Sequence, residues 1–262
     1  MKIKKHTGQV NDIPQIKFDI NFEEDLKYTL GRLSLDDPAG LEYRLKNSQM
    51  DEDRINQILN STNKEVKMTI LKEYLSEYYL KHRQEMASVC ISYQKIWDSI
   101  STNFFSSSNQ IFLPFNWKFN DYSFLVSAFY SHGSWGDTNR LATKWSRDPN
   151  KYYFLNAFEL LLTHFFESID QKYKTRPIEN WKIWALAEAT AYILTYKVDS
   201  VRKAISPTLT EPSSFNYPQL LKPIADLSII FENRNGFDDY IEKSVEYIQK
   251  YSVDELKNNP QK

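Results

Sequence analysis

Glycine is scarce in this chain: there are 6 in 262 residues, where average usage near 7% gives roughly 18. Glycine supplies the positive-φ turns of hairpins and the close backbone approaches of phosphate-binding loops. Its scarcity argues against a β-sandwich and against a nucleotide-binding α/β enzyme. Cysteine is nearly absent too. The single Cys90 excludes an intramolecular disulfide and suits a reducing compartment. Within Ala87-Ser88-Val89-Cys90-Ile91 it reads as a small buried hydrophobe rather than a reactive thiol.

Charge of one sign is lacking as well. Lys+Arg 33 against Asp+Glu 34 gives a net charge of -1, so no global field draws the chain to nucleic acid or anionic lipid. Long apolar runs are missing: Trp184-Ala185-Leu186-Ala187 stops at Glu188, far short of the ~20 residues that span a bilayer. The first residues carry positive charge with no apolar stretch behind them, so no signal peptide is expected and the cytoplasm is the expected location.

What is present is aromatic and helical. The chain holds 16 Phe, 17 Tyr and 6 Trp, with 41% hydrophobic residues overall. Val66, Ile70, Leu71, Tyr74, Leu75, Tyr78, Met86, Val89, Tyr93, Ile96, Trp97 and Ile100 recur mostly at spacings of three and four, which predicts a long helix over 63–105. The stripe lapses near His82–Gln84, where a kink is expected. Asn21 caps a helix to about Leu33, with Glu23, Glu24 and Asp25 in its first turn. A short helix covers 50–59. Ser106-Ser107-Ser108-Asn109-Gln110 before Pro114 reads as a loop at 106–116, dividing an N-terminal helical half (1–110) from a C-terminal one (111–262) of one domain.

In the second half, Asp121 is expected to cap a helix over 122–130, with His132 and Gly133 at its end, and 136–146 to form another. Pro149 opens a strong helix to about Lys172, and Pro177 opens one to Tyr196. Three prolines make 206–218 a loop, and helices over 218–233 and 237–251 close the chain. Ile16-Lys17-Phe18-Asp19-Ile20 alternates like a strand but has no evident partner. The fold expected is therefore all-α, a compact multi-helix domain, with stacked antiparallel helix pairs as one arrangement.

Catalytic motifs are absent. The sequence has no G-x-G-x-x-G, no G-x-x-x-x-G-K-[ST], no HExxH and no G-x-S-x-G elbow,. Of four histidines, His164 has Glu159 and Glu167 nearby, and its spacing to Glu167 allows a shared helix face. A helix-surface hydrogen bond is the plainer reading there, and no metal or cofactor is expected. Charge is uneven locally: between Asn11 and Asp53 there are 11 acids and 5 bases. Arg140, Lys144, Arg147 and Lys151 oppose Asp148 alone, interleaved with Trp135, Trp145, Tyr152 and Tyr153. Tyrosine- and tryptophan-rich helices without catalytic apparatus favour protein recognition.

Three segments carry a family resemblance. Phe129-Tyr130-Ser131-His132-Gly133-Ser134-Trp135 resembles the tyrosine-serine-x-glycine turn of PoNi-like immunity proteins of bacterial polymorphic toxin systems. Trp181-Lys182-Ile183-Trp184-Ala185-Leu186-Ala187-Glu188, running on to Asp199-Ser200, is similar to their tryptophan- and glutamate-containing helix. Tyr217-Pro218 resembles their closing pair. Residues 1–110 carry no matching motif. The resemblance implies a non-enzymatic protein that binds a cognate toxin and occludes its active site. A basic nuclease as toxin would be met by the acidic stretch with Asp36, Asp37, Asp51, Glu52 and Asp53, and by Trp135 as aromatic anchor. Neither nucleic acid nor membrane is expected as a partner. The alternatives are a helical hydrolase or transferase built on His164, Glu159 and Glu167, or a helical scaffold or regulatory protein.

Overall fold

The computed structural model describes residues 13–32, 41–42, 45–46, 50–112, 117–129, 132–134, 139–175 and 178–257. Helices dominate, but the fold is mixed. Strand β1 (Gln15–Asp19), β2 (Asp121–Ser127), β3 (His132–Ser134) and β4 (Arg140–Lys144) form one sheet in the order β1-β2-β4-β3. The first two pairings are parallel and β3–β4 is antiparallel.

The all-α expectation is thus corrected, and the reason is physical. Parallel neighbours are joined by long crossovers rather than tight hairpins, so β1–β2 pairing makes no demand on glycine. The partner of the 16–20 alternation is β2, with Phe18 opposite Phe124. The segment expected as a helix over 122–130 is that strand. Phe124, Leu125, Val126 and Ser127 are all buried, so the chain covers both faces of β2 and leaves no alternation to read. Likewise β4 occupies the segment expected as a helix at 136–146, and His132 begins a strand instead of ending a helix.

Helix α1 (Phe22–Arg32) follows β1, with Asn21 Oδ1 accepting from Glu24 N at 3.1 Å. Helix α2 (Glu52–Asn60) is capped by Asp51, whose carboxylate accepts from Arg54 N at 2.9 Å. Helix α3 (Lys64–Phe112) runs 49 residues, about 74 Å at 1.5 Å per residue. It passes without a break through His82–Gln84 and through 106–110, so the loop expected from 106 does not begin there.

Two cores explain its length. Leu71, Tyr74, Leu75 and Tyr78 pack with Leu26, Leu41, Leu45, Ile55 and Ile58. Trp97, Phe104, Phe105 and Phe112 enter the main core with β1, β2 and the C-terminal helices. The lapse in the apolar stripe falls between the two. Gln94, on the same helix, seals the outer edge of β1: it accepts from Phe18 N at 3.1 Å and donates to Ile16 O at 2.9 Å. An edge strand so occupied cannot recruit another strand.

The C-terminal helices are α4 (Pro149–Lys172), α5 (Asn180–Tyr192), α6 (Asp199–Ile205), α7 (Leu221–Glu232), α8 (Gly236–Ile248) and α9 (Val253–Lys257). Asp148 caps α4 on Asn150 N at 3.0 Å, with Pro149 in the first turn. The last turn of α5 widens into a π turn, Ile193–Lys197. Helices α4 and α5 pack against each other, and Ala157, Leu160, Leu161, Ala185 and Ala189 on them are fully buried. Among the described residues no helix is long and apolar enough to cross a membrane.

Candidate functional site

Of the residues singled out in the sequence, Asp36, Asp37 and Trp135 lie outside the described residues. Asp51, Glu52 and Asp53 form the exposed start of α2. Asp51 works as a cap there, and Arg54 reaches back to it at 3.7 Å and across to Glu77 at 2.6 Å. Glu52 and Asp53 face solvent. Within the basic cluster, Arg140 is held by two acids. Its guanidinium donates to Asp19 (2.6 and 3.0 Å) and to Glu24 (2.7 and 2.5 Å). Trp145 points inward, its indole N–H donating to Tyr78 Oη at 3.1 Å.

His164 is not on a helix surface. It is 2% exposed, stacked on Phe112 (4.8 Å) and Trp117 (4.6 Å). Its Nε2 has no hydrogen-bond partner. Burial drives its pKa down to about 3, so the ring is neutral at pH 7. Glu167 turns to Lys118 at 2.7 Å. The histidine-centred site is therefore dismantled: His164 is core and Glu167 is an ion-pair partner of Lys118. Burial also pushes the Cys90 thiol up to about 12, as fits an inert hydrophobe.

Two polar centres remain. The first lies at the C-terminal end of β2. Asp25 is fully buried and accepts from Tyr79 Oη (2.8 Å), Ser127 Oγ (2.6 Å) and Ala128 N (2.7 Å). Burial raises its pKa against the pull of those three donors. Every donor around it is committed, and the centre ties α1, α3 and β2 together.

The second lies between α4 and α5. Glu188 is 6% exposed, and among the described residues no donor or cation reaches its carboxylate. Burial raises its pKa well above the usual carboxylate value, and the charge of Glu159 across the helix pair raises it further. Asn156 and Thr163 share the α4 face of Glu159 by spacing. Both are buried, and neither the Asn156 amide nor the Thr163 hydroxyl has a partner. The π turn adds Thr195, whose Oγ1 is also unpartnered. Such turns recur at functional sites.

Rings flank this seam. Trp184 and Tyr192 stand one helical turn to either side of Glu188. Ring contacts continue without a gap: Trp181–Trp184 (5.3 Å), Trp184–Tyr217 (4.9 Å), Tyr217–Phe215 (5.7 Å), Phe215–Tyr192 (5.0 Å), Tyr192–Tyr196 (4.8 Å) and Tyr196–Phe154 (6.4 Å). Trp181, at the outer end, is 45% exposed.

Elsewhere a groove of about 530 Å³ runs beside Lys172, Tyr173, Glu242 and Glu246. Lys172 is bonded there to Asp238 and Glu242, so its charge is already neutralised. Among the described residues no group of three or more His, Cys, Asp or Glu is placed to hold a metal ion. The sequence reading held Glu159 but missed Glu188 as its counterpart, although Glu188 sits within the tryptophan-bearing segment it quoted. No family model, no curated protein and no solved structure matches the chain.

Proposed function

We propose that this chain is a stoichiometric binding protein of the immunity type, acting in the bacterial cytoplasm by seating on a cognate toxin and covering its active site. The observation that carries the reading is the run of rings from Trp181 to Phe154, in which two of the segments that resemble PoNi-like proteins meet at Trp184 and Tyr217. Partly exposed tryptophan and tyrosine held rigid by ring neighbours are the side chains that anchor interfaces, since they bury much area at little entropic cost. Glu52 and Asp53, exposed at the start of α2, add steering toward a basic partner.

The test is co-expression with the protein encoded immediately upstream, scored for survival and for a co-purifying complex. Rescue with a 1:1 complex supports the reading. Trp184→Ala and Tyr217→Ala are expected to weaken that complex by about a hundredfold, a typical hot-spot loss of near 3 kcal/mol. Glu52→Lys with Asp53→Lys is expected to slow association and leave dissociation unchanged. A harmless neighbour that does not bind refutes the reading. Toxin inactivation far below one equivalent would favour a hydrolase or transferase instead.

A further inference from the structure

Glu188 is buried, yet no donor among the described residues reaches it, and a segment without regular structure crosses its helix face. Residues 206–217 join α6 to a short 3₁₀ turn, Pro218–Leu220. The middle of the segment, 210–214, is exposed. Its far end lies on α5: the Tyr217 ring meets Trp184 edge-on at 4.9 Å, and the Phe215 ring meets Tyr192 at 5.0 Å. Trp184, Glu188 and Tyr192 succeed one another four residues apart and share one face of α5. The segment therefore runs antiparallel to α5 over the turn that carries Glu188. Tyr192 Oη fastens it by donating to Glu211 at 3.2 Å, and Arg202 holds its base by donating to Leu209 O at 3.0 Å.

We propose that residues 206–217 are a strap closed over Glu188, and that loss of the Glu188 proton opens it. The strap is the weaker wall of the enclosure. Edge-to-face ring pairs and a hydrogen bond to an exposed acid are modest ties, whereas α5 meets the helices behind it through fully buried Ala185 and Ala189. Under the closed strap the dry carboxyl group keeps its proton above the usual 4.5; in the open form water solvates the carboxylate and restores that value. Opening thus releases a proton. Above about pH 4.5 each unit favours the open form by up to about tenfold, until the closed form ionises too. The titratable groups around Glu188 are Glu159 on α4, Tyr192 on α5, Tyr196 in the π turn, and Glu211 and Tyr217 of the strap. From the other helices, Tyr240 of α8 bonds Thr190 (2.8 Å), Asp226 of α7 bonds Tyr247 (2.5 Å), and Lys257 of α9 lies over Trp181 (5.1 Å), two turns from Glu188. Opening parts Tyr217 from Trp184 and Phe215 from Tyr192, so the same step remakes the ring surface. The device does not depend on the toxin reading.

Chymotrypsin reads the strap, because the bond after Phe215 is cut only when the segment lifts from α5. The full chain is digested at pH 5.5, 6.5 and 7.5, and the cut after Phe215 is followed by mass spectrometry. Dividing the wild-type rate by that of Glu188→Gln at each pH cancels the protease's own pH profile, and the quotient tracks the open population. It is expected to rise at least about tenfold from pH 5.5 to 7.5. Addition of 0.5 M urea should leave the rate of the cut nearly unchanged, since lifting a short strap exposes little surface. Should Glu188→Gln fail to fold, Glu188→Leu serves as the reference. Tyr217→Ala, which removes one ring tie, should speed the cut at pH 5.5 at least about fivefold. A quotient that stays flat overturns the proposal, as does a cut that urea accelerates as steeply as global unfolding.

Discussion

Replacing His164 with leucine should change how the protein responds to acid more than how stable it is at neutral pH. The ring lies against Phe112 and Trp117 with Nε2 unpartnered, so leucine removes a desolvated polar group and keeps most of the packing. At pH 7.5 His164 is neutral in both folded and unfolded states, and the difference between variant and wild type is packing alone. Below the ordinary value of 6.5 the unfolded chain takes up a proton that the folded chain refuses until about pH 3. Stability tied to His164 is therefore lost as pH falls through that window, at about 1.4 kcal/mol per pH unit. By pH 5 the loss is about 2 kcal/mol, and it approaches about 5 kcal/mol near pH 3. Urea unfolding of both proteins at pH 7.5, 6.5, 5.5 and 5.0 measures it. Other titrating groups contribute equally to both chains, so they cancel in the difference. His164→Leu should gain about 2 kcal/mol on the wild type between pH 7.5 and 5.0. A difference that stays flat across that range refutes the buried neutral histidine.

Three further substitutions probe the polar centres. Asp25→Ala strands the Tyr79 and Ser127 hydroxyls and the Ala128 N–H, and should cost about 3 kcal/mol or more in chemical denaturation; a loss under about 0.5 kcal/mol would mean that those donors are satisfied elsewhere. Arg140→Lys keeps the charge but not the fork that grips Asp19 and Glu24, and should cost about 1 kcal/mol, because both acids are partly solvated; full stability in the lysine variant would show that charge alone suffices. Glu188→Gln should be more stable than wild type at pH 7 and equal to it near pH 4. The folded state holds the Glu188 proton above the usual value of 4.5, so the wild type is penalised progressively as pH rises from there. A variant less stable than wild type at pH 7 would show that the carboxylate has a stabilising partner.

The helices were legible where the chain punctuates them. Asn21 and Pro149 each open a helix at the expected place, because caps and first-turn prolines act locally; the helix expected over 50–59 runs Glu52–Asn60, with Asp51 as a cap that was not anticipated. The sheet was not legible, because its evidence is non-local. Phe124-Leu125-Val126 is buried on both faces and carries no period of two, while Asp121 imitates a helix cap. Leu141-Ala142-Thr143 in β4 is too short to declare itself. The lapse at His82–Gln84 is a real change in burial, with Leu80 86% exposed, but it marks the gap between two cores and not a break in the backbone. At the candidate site, sequence proximity misled. Glu159 and His164 are five residues apart, about 140° around the helix at 3.6 residues per turn. One side chain therefore enters the aromatic core while the other meets α5.

The contrast between the two buried carboxylates separates scaffold from site more sharply than either does alone. Asp25 joins α1, α3 and β2 and is saturated with donors; a fold under selection for stability arrives at such a centre. Glu188, Asn156, Thr163 and Thr195 lie within one helix pair and keep their hydrogen-bonding capacity unused, although that pair also holds the fully buried Ala157, Leu160, Leu161, Ala185 and Ala189. Apolar packing there offsets the cost of the unpaired polar atoms, which explains how the seam survives in the folded state. It does not explain why four polar residues occupy positions that alanine or leucine would fill to greater effect. Asn156, Thr163 and Thr195 supply four of the buried polar atoms without a partner among the described residues, counting both atoms of the Asn156 amide, and others lie on α1, α3 and α8, so the cost of unpaired groups is spread over the fold. The Glu188→Gln pH profile tests that carboxylate directly, through the proton it keeps when buried.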